Sequence, residues 1–401
     1  MQIYINKNGV RRLAILLLSL SFLPNLSSSA SITIDPSAPD YTSRKGMRIY
    51  VSKSGNDSDG SSWKKAYRTI QAALSAIPDD KGGHMIMIRP DTYVEANLSA
   101  AYKGAQGAYN LLVGDSDGRF GSGATGRIVI DASDPQKGFK SYDWWGTIRS
   151  YDKGWRPEFT EQTFSSICWD RWILRNLYTS GGDAGFFWAL TDKNGESFDL
   201  TGKEGEGFTV IVEDCIGIGR AFGGGICYPA VRPDEPSIFR RSYFLALDWV
   251  GDTGAVLVGG SEKTMPGSPH LIMEDCTLVH PDNALAMSYA SFCARVRAVG
   301  CRMIVLNFTQ PEMGGKSTGI ICTQGHRPKA KFHIDLEDCI LAGYSVFTPG
   351  EDGKALSYTT KGKVQAYVQF SQAVPEGFER INLWPTQLFD YIAIPKPSLK
   401  K

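Results

Sequence analysis

The chain repeats a short phrase in which apolar and charged positions alternate. Val212-Glu213-Asp214-Cys215, Met273-Glu274-Asp275-Cys276 and Leu336-Glu337-Asp338-Cys339 are three copies. Phe239-Arg240-Arg241-Ser242 and Ala298-Val299-Gly300-Cys301 are diverged copies, and Ile173-Leu174-Arg175-Asn176 reads as an earlier one. Aligned on the small last residue, the first column (Ile173, Val212, Phe239, Met273, Ala298, Leu336) is apolar and the second is mostly charged. That is the alternation of a strand with one face buried. The copies recur 25 to 39 residues apart, so a fixed strand with variable insertions forms one coil per copy. A coil cannot bury its apolar face alone, and stacking the coils gives an all-β, single-stranded, right-handed parallel β-helix. Glu213, Arg240 and Glu274 should then form an outward charge ladder on a solvated face.

The ends of the chain read differently. Lys7, Arg11 and Arg12 precede the apolar run Leu13–Leu23, and Ser28-Ser29-Ala30 offers small residues for cleavage. The run is shorter than the ~20 residues that span a bilayer, so residues 1–30 read as a cleaved signal peptide and predict a secreted, periplasmic or cell-surface protein without a membrane anchor. Residues 31–46 read as a leader, 47–395 as a single β-helix domain and 396–401 as a tail. Within the domain, 47–95 forms an N-terminal cap. Met47–Ser52 is its first strand, and Trp63–Ile77 is an amphipathic helix that should cover the open first coil. The acids of Gly55–Gly60 read as an Asx-rich turn rather than a calcium loop. Residues 138–165, with Trp144, Trp145, Tyr151 and Trp155, form an excursion loop whose aromatics either stack on sugar rings or pack on the coils. Val364–Phe370 and Ile381–Ile394 read as closing strands or a C-terminal cover.

A net charge of +1 implies neither nucleic acid nor an anionic membrane as a partner, and a monomer is expected. Eight cysteines in an exported chain ordinarily suggest disulfides. Here Cys215, Cys276, Cys301 and Cys339 share one column, where parallel side chains suit buried thiols better than bridges, with a Cys276–Cys301 bridge as the alternative.

Tyr50-Val51-Ser52-Lys53-Ser54-Gly55-Asn56-Asp57, Asp59-Gly60-Ser61-Ser62, Thr69-Ile70-Gln71-Ala72-Ala73-Leu74 and Ile88-Arg89-Pro90-Asp91-Thr92-Tyr93 together resemble the opening of secreted bacterial proteins of the pectate lyase-like (pectin lyase) superfamily. Asp91-Thr92-Tyr93 stands where that family usually has Gly-Thr-Tyr. The opening covers about 45 residues, and the coil repeat extends the resemblance through most of the chain. It implies the fold. It leaves the reaction open, because the superfamily includes polysaccharide lyases, glycoside hydrolases, esterases, epimerases and non-enzymes.

The resemblance also implies that the turns after the second strand of each coil flank a substrate groove. Asp183, Arg220, Asp248, Trp249, Asp252, His280, Asp282, Glu312 and Lys316 fall on those turns. Asp183, Asp248, Asp252 and Asp282 are the candidate catalytic acids. Trp249, Arg220, Arg232, His280, Glu312 and Lys316 are the candidate substrate contacts, Arg232 as a carboxylate clamp after the groove strand. Hydrolysis of a glycosidic bond needs two carboxyls roughly 5–9.5 Å apart. Elimination from a uronic acid needs a base, for which Arg220 or Lys316 would serve, and a cation near the carboxylate; Asp248, Asp252 and Asp282 could hold calcium, the one cofactor implied. Gly182-Asp183-Ala184 faintly resembles the Gly-Asp-Asp turn of polygalacturonases, with Ala184 replacing the second acid. The sequence therefore supports a secreted enzyme cleaving an acidic or pectin-like polysaccharide. The alternative is a non-catalytic glycan-binding or surface-structural β-helix. The groove strands Phe186–Leu190, Ala255–Val258 and Ala284–Met287 favour that alternative, being apolar on both faces and in need of a cover.

Overall fold

One coil shows how the sequence makes the architecture. Val210–Glu213 is a strand of the first sheet; Asp214 and Cys215 turn the corner; Ile216–Gly219 joins the second sheet. Arg220 and Ala221 turn again into Phe222–Cys227 of the third sheet, and residues 228–237 return the chain to Ile238–Arg240, which pairs in parallel on Val210–Glu213. Repetition of this path gives a ten-stranded first sheet from Arg48–Val51 to Leu356–Lys361. The second sheet, also ten-stranded, runs from Asp91–Val94 to Glu379–Arg380. The third has five strands, Ala184–Ala189 to Ile321–Cys322. Every pairing between these strands is parallel. This is the parallel β-helix, with the right-handed crossover that parallel strands adopt almost without exception.

The computed structural model describes residues 43–96, 98–133, 169–182, 184–189, 206–247, 254–260, 262–287, 291–308, 319–323, 329–347 and 356–395. The signal-like N-terminus, most of the leader, the excursion loop 138–165 and the tail lie outside them. Among the described residues no helix is long and apolar enough to cross a membrane.

The first-to-second corner is set by backbone conformation. Asn176, Asp214, Arg241, Asp275, Gly300, Asp338 and Gly362 all have positive φ, between 47° and 65°. Asn and Asp tolerate this region better than most residues, and glycine enters it freely. At Gly300 an added Cβ would also lie 2.3 Å from Oδ1 of Asp275 on the preceding coil. The next residue points inward. Cys215, Cys276, Cys301 and Cys339 are buried, and their thiols donate to carbonyls of the same or preceding coil, as Cys276 Sγ does to Phe239 O at 3.2 Å. All seven described cysteines are free.

The inward ladder Val212, Phe239, Met273, Ala298 and Leu336 follows the expected register and is fully buried. The earliest copy does not. Leu174 pairs with Val212 and Arg175 with Glu213, so the phrase is Leu174-Arg175-Asn176-Leu177, one residue later than the small-residue alignment placed it. Asn176 is the positive-φ residue, and Leu177 is the inward corner. Such a slip reverses which side chains face the core; Leu174, not Ile173, belongs to the inward ladder.

The outward charge ladder is also different in kind from the expected solvated face. Glu213 is only 1% exposed. Arg175 and Arg240, from the coils on either side, grip its two carboxyl oxygens, and Arg241 Nη2 lies 3.4 Å away. Burial pushes this carboxyl up, but the two guanidiniums outweigh it and hold it below the usual range. The acid is a buried ionic tie between three coils.

At the N-terminal end the long helix expected over Trp63–Ile77 is broken. Trp63–Lys65 is a single 3-10 turn, and the α-helix is Ile70–Ser75, capped by Thr69 Oγ1 accepting from Ala72 N–H. Its Ile70, Ala73 and Leu74 enter the core beside Ile49, Val51, Ile86 and Ile88. The acids of the Gly55–Gly60 turn are satisfied locally: Asp59 accepts from Ser61 and pairs with Lys65, and Asp57 accepts from Arg68 N–H. Toward the C-terminus Gln365–Val368 is a strand, but Pro385–Ile392 is a helix. Leu388, Tyr391 and Ile392 of that helix pack on Tyr243, Val279, Ile304 and Ala342 of the second sheet.

Replacing Glu213 by Ala would leave three arginines without their shared carboxylate, a change that ordinarily costs about 3–5 kcal/mol at buried pairs. Chemical unfolding should show a loss of that size, and a loss under about 1 kcal/mol would return Glu213 to the solvated face. Because the folded carboxyl lies below its unfolded value, its stabilisation should be present above the unfolded pKa and lost as pH falls through the folded one. Thiol titration of denatured, unreduced protein should find at least the seven free cysteines; two or fewer would show that the corner column is cross-linked.

Candidate functional site at the second-to-third sheet turns

The described residues at the ends of the second-sheet strands bond through their backbones to those of the neighbouring coil. Arg220 N–H donates to Gly182 O at 2.9 Å, Leu247 N–H to Gly219 O at 3.0 Å, Leu306 N–H to His280 O at 3.0 Å and Asn307 N–H to Pro281 O at 3.0 Å. Arg220, His280 and Asp282 therefore lie along one edge of the second sheet, at the entry to the third. Asp183, Asp248, Trp249, Asp252, Glu312 and Lys316 lie outside the described residues.

His280 ends the strand Thr277–His280 and is completely buried, so it is not the exposed substrate contact expected of it. Its Nδ1 accepts from the backbone N–H groups of Asp282 and Asn283, both at 2.8 Å. The imidazole shapes the turn from inside. Burial pushes it down to about 3 from an ordinary 6.5, so it is neutral at physiological pH. Asp282, half-buried at the mouth of that turn, accepts from Nδ2 of Asn307 on the next coil at 3.1 Å. The aspartate is thus fixed by the histidine beneath it and the asparagine beside it.

Arg232 follows the strand Phe222–Cys227, as expected, but it lies in the return to the first sheet, apart from the Arg220–Asp282 edge. The carboxylate it clamps is the chain's own Asp170, with Nη1–Oδ1 at 2.6 Å and Nη2–Oδ2 at 3.3 Å. Asp170 also pairs with Arg171, and Arg171 with Glu235, whose Oε2 lies 2.8 Å from its Nη2. This network ties the return loop to the coil before it. Sequence reasoning missed Asp170 and Glu235, because the pairs Arg232–Asp170 and Arg171–Glu235 join residues 62 and 64 positions apart.

All described residues of the third-sheet strands are buried. Between the third sheet and the first, Glu262, His270 and Cys293 bring three metal-ligand types within 4.8 Å. Nδ1 of His270 accepts Arg295 N–H at 2.9 Å, which places the ring proton on Nε2. That Nε2 donates to Glu262 Oε2 at 2.8 Å. A protonated nitrogen has no lone pair for a metal, and burial pushes the Cys293 thiol well up. The group is a hydrogen-bonded cluster in its present tautomer.

No protein-family model and no curated protein matches the sequence. Solved structures that resemble the fold include the pectate lyase Pel9A, at 13% identity over 84% of this chain and 74% of that one, with a TM-score of 0.46. XylC, solved in complex with xylose, aligns at 10% identity over 84% of this chain and 68% of its own, with a TM-score of 0.39. Pectin methylesterase PemA from Erwinia chrysanthemi aligns at 11% identity over 89% of this chain and 100% of its own, with a TM-score of 0.35. These likenesses concern the fold, and the β-helix itself rests on the strand pairing described above.

The neutral burial of His280 has a measurable sign. A base whose folded pKa is depressed stabilises the fold fully above its unfolded value, near 6.5, and that stability is lost as pH falls toward about 3. Replacing His280 with Gln should flatten the fall of the urea midpoint between about pH 6 and pH 4. A slope identical to wild type would show that the imidazole is not held neutral.

Proposed function

We propose that the stacked second-to-third sheet turns bind and cleave an acidic polysaccharide. The observation that carries this reading is Asp282, a half-buried carboxylate anchored by Asn307 and set on a turn shaped by His280, on the same edge as Arg220. A carboxylate fixed in this way is prepared to act on a bound sugar or to help hold a cation, whereas a free surface acid would first have to be ordered. The sequence adds Asp183, Asp248, Asp252, Glu312 and Lys316 at the corresponding turns, and Trp249 as a platform for a sugar ring. Lyase action would use calcium held by Asp248, Asp252 and Asp282 with Arg220 or Lys316 as base. Hydrolase action would use a pair of the aspartates as acid and base or nucleophile. The signal-like N-terminus supports export to where such polymers occur.

A second reading, glycan binding without cleavage, is favoured by one observation. The described third-sheet strands are buried on both faces, so these residues present no open groove floor.

A panel of uronic-acid polymers, followed by ultraviolet absorbance for unsaturated products and by reducing-end release, separates lyase from hydrolase; a calcium chelator tests the cation. Asp248→Ala, Asp252→Ala or Asp282→Ala should lower turnover by on the order of 10²-fold or more, with the fold retained by circular dichroism. Retained polymer binding without product would establish the second reading, and neither binding nor turnover on any polymer would overturn both.

A further inference from the structure

A different face of the solenoid carries a second constellation, independent of the reading above. Lys331–Glu337 and Leu356–Lys361 are the last two strands of the first sheet, and they pair His333 with Ser357 and Asp335 with Thr359. Phe332, Ile334 and Leu336 point into the core, so His333 and Asp335 stand outward beside the exposed Ser357 and Thr359. Ser357 Oγ lies 2.8 Å from His333 Nδ1, and His333 Nε2 lies 2.9 Å from Asp335 Oδ1.

The donors around Asp335 decide where the protons are. Its Oδ1 also accepts from Thr359 Oγ1 at 2.6 Å, and its Oδ2 faces Arg295 Nη2 at 3.3 Å. Burial pushes this carboxyl up, but these donors and His333 outweigh it and hold it below the usual range. An ionised carboxylate only accepts, so Nε2 of His333 must donate to it. A neutral ring then has its lone pair on Nδ1, facing the serine hydroxyl. Among the described residues that hydroxyl also meets Phe332 O at 3.2 Å, which is the longer contact.

We propose that Ser357, His333 and Asp335 form a nucleophile, base and positioning relay that hydrolyses carboxylic esters. His333 Nδ1 takes the Ser357 proton as Oγ attacks the ester carbonyl. The C–O bond to the alcohol breaks, and the alcohol leaves with that proton. Water, deprotonated by the same nitrogen, then releases the acid and restores the serine. Ser357 is exposed on Leu356–Lys361, the last strand of its sheet among the described residues. A short acyl group projecting from a larger molecule, such as an O-acetyl substituent, suits that position. A buried binding slot for a long chain does not.

The test uses the intact protein with a fluorophosphonate probe and 4-nitrophenyl acetate. Mass spectrometry should place the adduct on Ser357, and Ser357→Ala should abolish both the adduct and ester turnover. Asp335→Asn should slow adduct formation by about tenfold or more, with Asp335→Glu restoring part of the rate. His333→Gln should likewise suppress adduct formation, because an amide cannot take the serine proton. Circular dichroism checks that each variant is folded. No adduct on the folded wild type, or an adduct that survives Ser357→Ala, would overturn the relay and leave a ladder of surface hydrogen bonds.

Discussion

The corner between the first and second sheets is the constraint on which the rest depends. On one side of it, N–H groups of the positive-φ residues donate to the next coil, as Asp275 does to Val299 O and Gly300 to Glu337 O. On the other side, the corner carbonyls accept from the next coil: Cys215 O from Tyr243 N–H, Cys276 O from Arg302 N–H and Cys301 O from Ile340 N–H. A chain that turned here in any other conformation would break both rows of bonds at once. The corner therefore fixes which residue faces inward on every coil, and with it the register of both ten-stranded sheets.

Register in turn decides which charges meet. Glu213 is buried because its neighbours in the same outward column are Arg175 and Arg240. Arg175 on one oxygen, with Arg240 and Arg241 on the other, compensate a carboxylate that water does not reach, while Glu337, farther along the same column, meets Lys361 and Arg297 in a more exposed setting. The same repeated acid thus has two physical roles, set by its neighbours. Asp170 follows this logic at the return to the first sheet, where Arg171 and Arg232 neutralise it.

The two regions with chemical potential differ in how they are held. Asp282 is fixed by a buried imidazole and by a side chain from the next coil, so its geometry depends on the stacking itself. Ser357, His333 and Asp335 sit on flat strand faces, where parallel pairing supplies the alignment. Rigid elements are better platforms for such side chains than loops, since neighbouring strands leave little freedom for a misplaced approach.

The sequence alone determined that the chain coils into parallel strands, because alternation and a small corner residue are local properties that repeat visibly. It also placed the cysteines as buried thiols. It misjudged the earliest copy because Asn176 resembles a small corner residue, whereas the underlying requirement is a positive φ, which asparagine also meets. It misjudged the Trp63–Ile77 helix because apolar spacing persists through residues 64–67, whose backbone bonds to Tyr50, Ser52 and the Gly55–Gly60 turn instead. Only the tertiary structure decided the burial of Glu213, the inward turn of His280 and the meeting of Ser357 with His333 and Asp335. Each depends on side chains 24 or more residues apart, or on which face a coil presents. Such contacts are set by stacking register, a long-range property that no window of the sequence contains.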